Sequence, residues 1–333
     1  MTRPPRRTKV AAGDNGLSGL KPDPMGILPL PTSGGRSLMS QTKDLLRRAG
    51  LHARKGLGQH FLVDGSYLKV ILGAAELTPE DVVIEVGPGL GVLTRELAGR
   101  AGTVIAVEKD GSLASLLKDA LASCPNTEIV NADILEVDPS ALISDRAGRK
   151  GRASTEYKVV ANLPYYITSP VLRHFLEATL KPRSMVVMVQ KEVARQITAK
   201  PGDMSLVSVG VQLYGDPKIV KYVPARAFYP APEVDSAILK ITVYPTLAVQ
   251  VETASFFVVV RAGFSAARKQ MANSLAHGLD LPKDAILSML ERAHIDPKRR
   301  AETLSIGEWG RLWEEYTKME RTDVCETRVA QER

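Results

Sequence analysis

Residues 67–244 alternate between helical stretches and short apolar runs, and this alternation constrains the fold more than any other feature of the sequence. Helical segments separate five apolar runs, namely DVVIEVG, TVIAVE, TEIVNAD, YKVVAN and SMVVMVQ. Strands that alternate with helices form a mostly parallel sheet with helices on both faces. Two later β-rich runs, SLVSVGVQLYG and SAILKITVY, predict a hairpin at one edge. The sequence therefore predicts an α/β fold.

The regions outside this alternation have other patterns. Residues 1–38 are rich in Pro and Gly and show neither the helical nor the strand period of apolar residues. They are predicted to be a disordered leader. A helical pattern begins at Met39, which is also a candidate natural start. Four apolar-periodic segments after Pro245 predict a smaller, all-helical C-terminal domain. The predicted organisation is a leader (1–38), an arm (39–66), an α/β domain (67–246), a helical domain (247–320) and a tail (321–333).

Several classes of protein are excluded or disfavoured by what the sequence contains. No apolar run approaches the roughly 18–20 residues of a membrane span. Two cysteines, Cys124 and Cys325, cannot form a disulfide framework or a Cys-rich zinc site. The five histidines contain no HExxH or HxxxH pair, which argues against a metal enzyme. We expect a cytoplasmic protein with no metal and no membrane partner.

Positive charge is concentrated at the N-terminus. Residues 1–60 contain 11 Lys and Arg but only 3 Asp, whereas residues 61–333 contain 33 basic and 34 acidic residues. A basic arm on a nearly neutral body indicates a polyanionic partner, although a solvated tail would have the same composition. The candidate RNA contacts in this arm are Arg47, Arg48, Arg54 and Lys55.

A glycine-rich turn follows the first apolar run. Its glycines, Gly87, Gly89 and Gly91, allow a tight turn and the close approach of a ligand at the carboxyl edge of the sheet. The dinucleotide fingerprint G-x-G-x-x-G would require glycine where Val92 stands, which disfavours a dehydrogenase. The pattern E-x-G-x-G-x-G, which begins at Glu85, resembles the cofactor loop of class I S-adenosylmethionine-dependent methyltransferases, which have a Rossmann-like fold.

Acidic residues end the next two predicted strands. Glu108 lies 23 residues after Glu85, and an acid at that position can accept hydrogen bonds from both ribose hydroxyls of a nucleoside. Asp133 follows the third strand and is suitably placed for an adenine amino group. Each acid alone is as readily explained as a surface or capping residue, but together with the glycine turn they predict a nucleoside site.

The tetrapeptide Asn162-Leu163-Pro164-Tyr165 follows the fourth strand. It resembles the [DN]-[LIP]-P-[YF] motif of methyltransferases that act on exocyclic amines of bases. The lone pair of such an amine is delocalised into the ring. The side-chain oxygen of Asn162 and the carbonyl of Leu163 can accept the amine hydrogens and direct the lone pair towards a methyl donor. Pro164 fixes the turn and has no competing N–H, and Tyr165 can stack on a flipped base.

With these motifs, residues 40–318 resemble the 16S ribosomal RNA adenine N6,N6-dimethyltransferase family. Four more segments support the likeness: KGLGQHFL (55–62), FYPAPEVDS (228–236), the stretch from Phe264 to Leu275, and RAETLS (300–305). The family dimethylates two adjacent adenosines near the 3′ end of small-subunit rRNA during ribosome biogenesis. The resemblance implies S-adenosylmethionine as cofactor and 16S rRNA, in the small subunit or its precursor, as partner.

The resemblance also implies roles for individual residues. Phe228 would be the second aromatic wall of the base pocket, opposite Tyr165. Tyr166 is a weaker candidate that could simply pack. Arg268 and Lys269 would contact RNA from the C-terminal domain. The implied cofactor contacts are His60, Leu62, Gly87, Gly89, Glu108, Asp133 and Asn162.

Two positions depart from the family pattern. Glu233 stands where a Lys is common in the loop after Phe228, and Ala267 replaces the first Arg of the R-R-K run. Both changes reduce the basic surface of the body, for which Lys298, Arg299 and Arg300 could compensate. They do not affect the predicted cofactor or amine site, but they leave the RNA affinity undetermined.

Two alternatives stay open from the sequence, and a third is disfavoured. A large-subunit rRNA adenine methyltransferase of the antibiotic-resistance type has a similar motif, often with Ile where this chain has Leu163. A DNA adenine methyltransferase usually carries Asp-Pro-Pro-Tyr, which is absent here. A non-catalytic ribosome-assembly factor on the same fold would not need an intact glycine turn. We expect a monomer, and the sequence does not determine the order of methylation or the assembly stage recognised.

Overall fold

The computed structural model describes residues 37–50, 59–147, 156–266 and 268–331. The first 36 residues of the predicted leader lie outside the described residues, as do Arg54, Lys55 and Ala267.

The described residues form nine strands, twelve α-helices and several 3-10 turns. The strands are β1 (Phe61–Leu62), β2 (Val82–Val86), β3 (Thr103–Glu108), β4 (Thr127–Asn131), β5 (Lys158–Asn162), β6 (Ser184–Gln190), β7 (Gly215–Val223), β8 (Phe228–Tyr229) and β9 (Ser236–Val243). The helices are α1 (Leu38–Arg48), α2 (Gly65–Ala75), α3 (Val92–Ala98), α4 (Gly111–Ala120), α5 (Pro139–Ala147), α6 (Thr168–Leu176), α7 (Lys191–Ile197), α8 (Leu206–Gln212), α9 (Thr253–Phe264), α10 (Met271–Leu279), α11 (Lys283–Arg292) and α12 (Ile306–Gln331).

Seven strands form one mixed sheet in the order β4-β3-β2-β5-β6-β9-β7. The first five are mutually parallel, so their carboxyl ends meet at one edge, called here the carboxyl edge. Strand β9 is antiparallel to β6, and β7 is antiparallel to β9. The predicted α/β fold with a mostly parallel sheet is confirmed.

The prediction of a strand over residues 205–215 is wrong, because most of this segment forms helix α8. Ser205 and Ser208 cap its N-terminus reciprocally through side-chain and backbone hydrogen bonds. The strand that pairs with β9 comes later, at Gly215–Val223. Proline at 217 is tolerated there because β7 is the edge strand of the sheet. Antiparallel pairing at that edge is as predicted, but with a different strand.

Both faces of the sheet are covered, which is why the central strands read as continuous apolar runs. Leu68, Ile71 and Leu97, from α2 and α3, pack on one face. The core on the other face includes Phe175 of α6 and extends to Trp309 of α12. The helices after residue 252 therefore share a hydrophobic core with the sheet, and α12 continues through most of the predicted tail. In the described parts of the chain, no helix has the length and apolarity needed to span a membrane.

Candidate active site

The glycine-rich turn has backbone angles that residues other than glycine adopt only with strain. Gly87, Gly89 and Gly91 have φ angles of +65°, +57° and +71°. A Cβ atom at Gly89 would lie 3.1 and 3.3 Å from two carbons of the Phe61 ring. The turn therefore brings the backbone close to the segment before α2, and Gly91 is the N-cap residue of helix α3.

A cavity at the carboxyl edge collects most of the predicted site residues. The ends of β2, β3 and β5 form its floor, and residues 59–62 cover it from the N-terminal side. The predicted residues that line it are His60, Leu62, Gly87, Gly89, Glu108, Asp133, Asn162, Leu163, Pro164 and Tyr165.

Glu108 is buried at the end of β3 and supports the glycine turn. One carboxylate oxygen accepts a hydrogen bond from the Gly89 N–H (3.2 Å), and the other accepts from the Asp110 N–H (2.9 Å). Burial raises the pKa of this carboxyl, and the hydrogen bonds from Asp110 and Gly89 oppose the rise. A ribose contact from Glu108, as predicted, would therefore be made by a side chain whose orientation is already fixed.

Asp133 lies at the cavity rim, and both of its carboxylate oxygens already have a partner. Its Oδ2 pairs with the Lys109 ammonium at 2.7 Å, and its Oδ1 accepts from the Leu135 N–H at 3.1 Å. The hydrogen bond from Lys109 is the largest cause of the lowered pKa of this carboxyl. An adenine amino group bound at Asp133 would share the carboxylate with Lys109, so that role stays a prediction.

Asn162, His60 and Tyr165 are joined by direct contacts. The Asn162 side-chain NH₂ donates to the His60 carbonyl (2.9 Å), and His60 Nδ1 donates to the Pro230 carbonyl (2.8 Å). The His60 ring stacks on Tyr165 with centroids 5.7 Å apart, and the Tyr165 hydroxyl lies 2.6 Å from Ser236 Oγ. Because its NH₂ is engaged, the Asn162 side chain presents its oxygen as the acceptor available to a ligand.

Phe228 is the one predicted pocket residue that the structure does not bring to the cavity. Its side chain is 1% exposed and packs in the core that contains Leu62 and Leu68. Strand β8, which contains Phe228, pairs with β1 so that Phe228 is opposite Leu62. A base could stack on this ring only after β8 had moved, so a role for Phe228 in base binding stays a prediction.

The predicted RNA contacts are only partly described. The Arg47 side chain is exposed and pairs with Asp44 at 2.7 Å, and Arg48 ends helix α1. Arg268 and Lys269 are exposed in the turn between α9 and α10. Arg299, by contrast, is bound to Glu308 and to Thr303, so its charge is neutralised within the C-terminal helices. Of the three compensating basic residues, Arg299 is therefore the poorest candidate for a phosphate contact.

Glu85 was not predicted as a site residue, but it lies at the cavity with an incomplete set of partners. It is 1% exposed, and its Oε2 has no hydrogen-bond partner within the described parts of the chain. Burial raises its pKa from 4.5 to about 8. The sequence feature that could have indicated Glu85 is its position as the first residue of the E-x-G-x-G-x-G pattern. Phe61, which also lines the cavity, belongs to the KGLGQHFL motif together with His60 and Leu62, but its contact with Gly89 is made across the fold and could not be predicted from the sequence.

We expect Glu85→Gln to change how stability depends on pH. Between about pH 4.5 and 8 the folded protein keeps a proton on Glu85 that the unfolded chain releases, so the unfolding free energy decreases as pH rises. Glu85→Gln has no such proton to release, so its unfolding free energy does not decrease for this reason. From pH 5 to pH 8 its unfolding free energy should increase relative to that of the parent by on the order of 4 kcal/mol. Urea unfolding at several pH values measures it, with exposed Glu80→Gln as the matched control. Equal pH slopes in parent and Glu85→Gln would contradict the assignment.

These features fit S-adenosylmethionine. The buried Glu85 oxygen without a hydrogen-bond partner in the described structure suits a polar group of a ligand or a bound water, and Gly89 lines the same cavity without a side chain. Glu108 and Asp133 supply acceptors for a nucleoside. Among the described residues, no group of three or more His, Cys, Asp or Glu is arranged to hold a metal ion. The sheet, the glycine turn and the Asn-Leu-Pro-Tyr motif at the end of β5 together define a class I methyltransferase.

Comparison with known proteins identifies the family within that class. The family profile described as "Ribosomal RNA adenine dimethylase" matches residues 50–318. The chain therefore belongs to this family, which uses S-adenosylmethionine. It is 52% identical over 290 residues to the ribosomal RNA small subunit methyltransferase A of Dehalococcoides mccartyi, covering 87% of this chain and 97% of that protein. The relative of the same name from Moorella thermoacetica is 47% identical over 276 residues, with coverage of 82% and 95%.

Solved structures agree on the fold. The 23S rRNA methyltransferase ErmE superposes with a TM-score of 0.60 at 30% identity and covers 77% of this chain and 98% of its own. A dimethyladenosine transferase from Plasmodium falciparum superposes with a TM-score of 0.65 at 24% identity, with coverage of 78% and 98%. Both support the Rossmann-like α/β architecture described above.

Proposed function

We propose that this protein transfers methyl groups from S-adenosylmethionine to the N6 atoms of two adjacent adenosines near the 3′ end of 16S rRNA. The observation that carries the proposal is Asn162, held at the cavity by its bond to the His60 carbonyl with its side-chain oxygen left as an acceptor. The names of relatives that are up to 52% identical support the small subunit or its precursor as the substrate. A cytoplasmic location and a monomeric state stay predictions from the sequence.

The chemistry assigned to the chain is the activation and orientation of an amine. Bound S-adenosylmethionine supplies an electrophilic methyl group on a sulfonium. The Asn162 side-chain oxygen and the Leu163 carbonyl accept the hydrogens of the adenine amine, which frees its lone pair for attack. Pro164 contributes no competing N–H. Tyr165, fixed by His60 and Ser236, offers a ring on which the flipped base can stack.

Methylation of a large-subunit adenosine is the second candidate, and the 30% identity to ErmE is the observation in its favour. The greater identity to small-subunit enzymes favours the first candidate. A third class, a ribosome-assembly factor without catalysis, is disfavoured because the glycine turn, Glu108 and Asn162 are intact and meet at one cavity.

One experiment separates these functions. The protein is incubated with labelled S-adenosylmethionine and either unmethylated small subunits or unmethylated large subunits, and the modified nucleotides are mapped by mass spectrometry. We expect dimethyladenosine at two adjacent positions of 16S rRNA. Label only in 23S rRNA would support the second candidate, and cofactor binding without label in either RNA would support the third.

Neutralising Arg47, Arg48, Arg54 and Lys55 together is expected to weaken rRNA binding and to flatten its salt dependence. Each phosphate contact that is lost reduces the number of counterions released on binding. The slope of log affinity against log salt should therefore become shallower by about 3. Filter binding between 50 and 300 mM KCl measures the slope.

A matched control neutralises four basic residues at the amino ends of the parallel strands, away from the cavity: Arg100 before β3, Lys118 in the last turn of α4, and Lys181 and Arg183 before β6. This second variant should keep the parental slope. Equal slopes in all three proteins would remove the arm from the interface.

A further inference from the structure

Tyr166 is an exposed aromatic residue on the rim of the cavity. It follows Tyr165 in the 3-10 turn Tyr165–Ile167, but the two rings have different environments. Tyr165 is partly buried and anchored through Ser236, whereas Tyr166 is 57% exposed, the highest value among the exposed large hydrophobic residues described. Packing within the described structure therefore does not explain the Tyr166 ring.

The surroundings of Tyr166 suit a nucleic acid strand. The ring lines the same cavity as Lys109, whose exposed side chain pairs with Asp133 at the rim. A separate open groove lies between residues 135–139 and α6, and its lining residues Leu135 and Ser169 are one and two positions along the chain from the cavity residues Ile134 and Ile167. Its charged lining residues are Asp138, Arg173 and Glu177. A strand whose base occupies the cavity would pass Tyr166 if it left the cavity on this side.

Base flipping creates a need that an exposed ring can meet. When the target adenine leaves its stack, the nucleotide next to it loses a stacking partner. Stacking on an aromatic side chain contributes about 1–3 kcal/mol per base and does not depend on sequence. We propose that Tyr166 is the stacking platform for the nucleotide adjacent to the target adenosine. This inference rests on the proposed function and adds a substrate-positioning residue to it.

The first test separates RNA capture from chemistry. Tyr166→Ala should raise KM for unmethylated small subunits by about 5- to 150-fold, the equivalent of about 1–3 kcal/mol of stacking. Tyr166→Phe should keep the parental KM, because stacking uses the ring face. The turnover number and the affinity for S-adenosylmethionine should stay within twofold. The matched control is Tyr244→Ala, which removes an exposed tyrosine just after β9, at the opposite edge of the sheet.

The second test identifies what the ring contacts. Small subunits are assembled with 16S rRNA that carries an abasic nucleotide on the 5′ or the 3′ side of one target adenosine, and methylation of that adenosine alone is followed, because one of its neighbours is the second target. For the parent, one of these substrates should raise KM as much as Tyr166→Ala does. For Tyr166→Ala, the same substrate should add no further increase, because the stacked pair is already lost.

Two outcomes overturn the inference while leaving the proposed function intact. One is a parental KM for Tyr166→Ala, and the other is additive effects of the variant and the abasic nucleotide, which would mean that the ring contacts something else. Failure of the proposed function has a different signature: the parental protein itself would then leave 16S rRNA unmethylated.

Discussion

Asn162→Ala is expected to lower the rate of adenine methylation by at least roughly a hundredfold while both substrates still bind. The variant removes the side-chain oxygen that accepts an amine hydrogen, and loss of one well-placed polar contact to a transition state has an effect of this size. It also removes the hydrogen bond to the His60 carbonyl, so a modest loss of cofactor affinity should accompany the loss of rate. Single-turnover methylation of small subunits measures the chemical step directly.

Asn162→Asp provides the matched control for this variant. It keeps an acceptor oxygen at the same position but loses the NH₂ that bonds to His60. Its methylation rate should therefore lie well above that of Asn162→Ala, although its cofactor affinity also falls. A parental rate in Asn162→Ala, with cofactor and RNA bound, would show that the motif does not activate the amine.

Gly89→Val is expected to abolish binding of S-adenosylmethionine. Position 89 has a φ of +57°, which a β-branched residue rarely adopts, and its Cβ would press on the Phe61 ring at 3.1 Å. The valine methyl groups would also occupy the space beside the turn where the cofactor is expected. Isothermal titration calorimetry should find no measurable heat of binding.

The control for this change is the same substitution at Gly73, on the exposed side of α2, where an added Cβ meets no atom within 4 Å. Gly73→Val should bind S-adenosylmethionine like the parent. Thermal unfolding of both variants shows whether each remains folded. A folded Gly89→Val with parental affinity would mean that the glycine turn is not the cofactor loop.

The sheet could be predicted because its central strands are buried on both faces and so appear as unbroken apolar runs. The segment after α7 misled the prediction for a physical reason. Val207, Val209 and Val211 alternate with a strand-like period of two, while the cap of α8 has serine at its third position instead of the Glu or Gln of the usual capping box. Strand β7 was missed because it contains Pro217, which only an edge strand tolerates.

The cavity residues that lie within contiguous motifs could be predicted, whereas contacts between distant segments could not. The glycine turn and the Asn-Leu-Pro-Tyr motif each follow a strand and meet at one sheet edge. The contact of Phe61 with Gly89 and the pairing of β1 with β8 join residues far apart in the chain, and no local pattern encodes them. The burial of Phe228 follows from that same pairing.

The small sheet formed by β1 and β8 has a thermodynamic consequence. Leu62 is opposite Phe228 and Phe61 is opposite Tyr229, and the His60 side chain bonds to the Pro230 carbonyl. Strand β1 belongs to the segment that lines the cavity predicted to bind the cofactor, and β8 begins the loop that leads to β9. If S-adenosylmethionine binds against β1 and rRNA against β8, the two ligands act on strands that are paired with each other. By linkage, any factor by which S-adenosylmethionine raises the affinity for rRNA is the factor by which rRNA raises the affinity for S-adenosylmethionine.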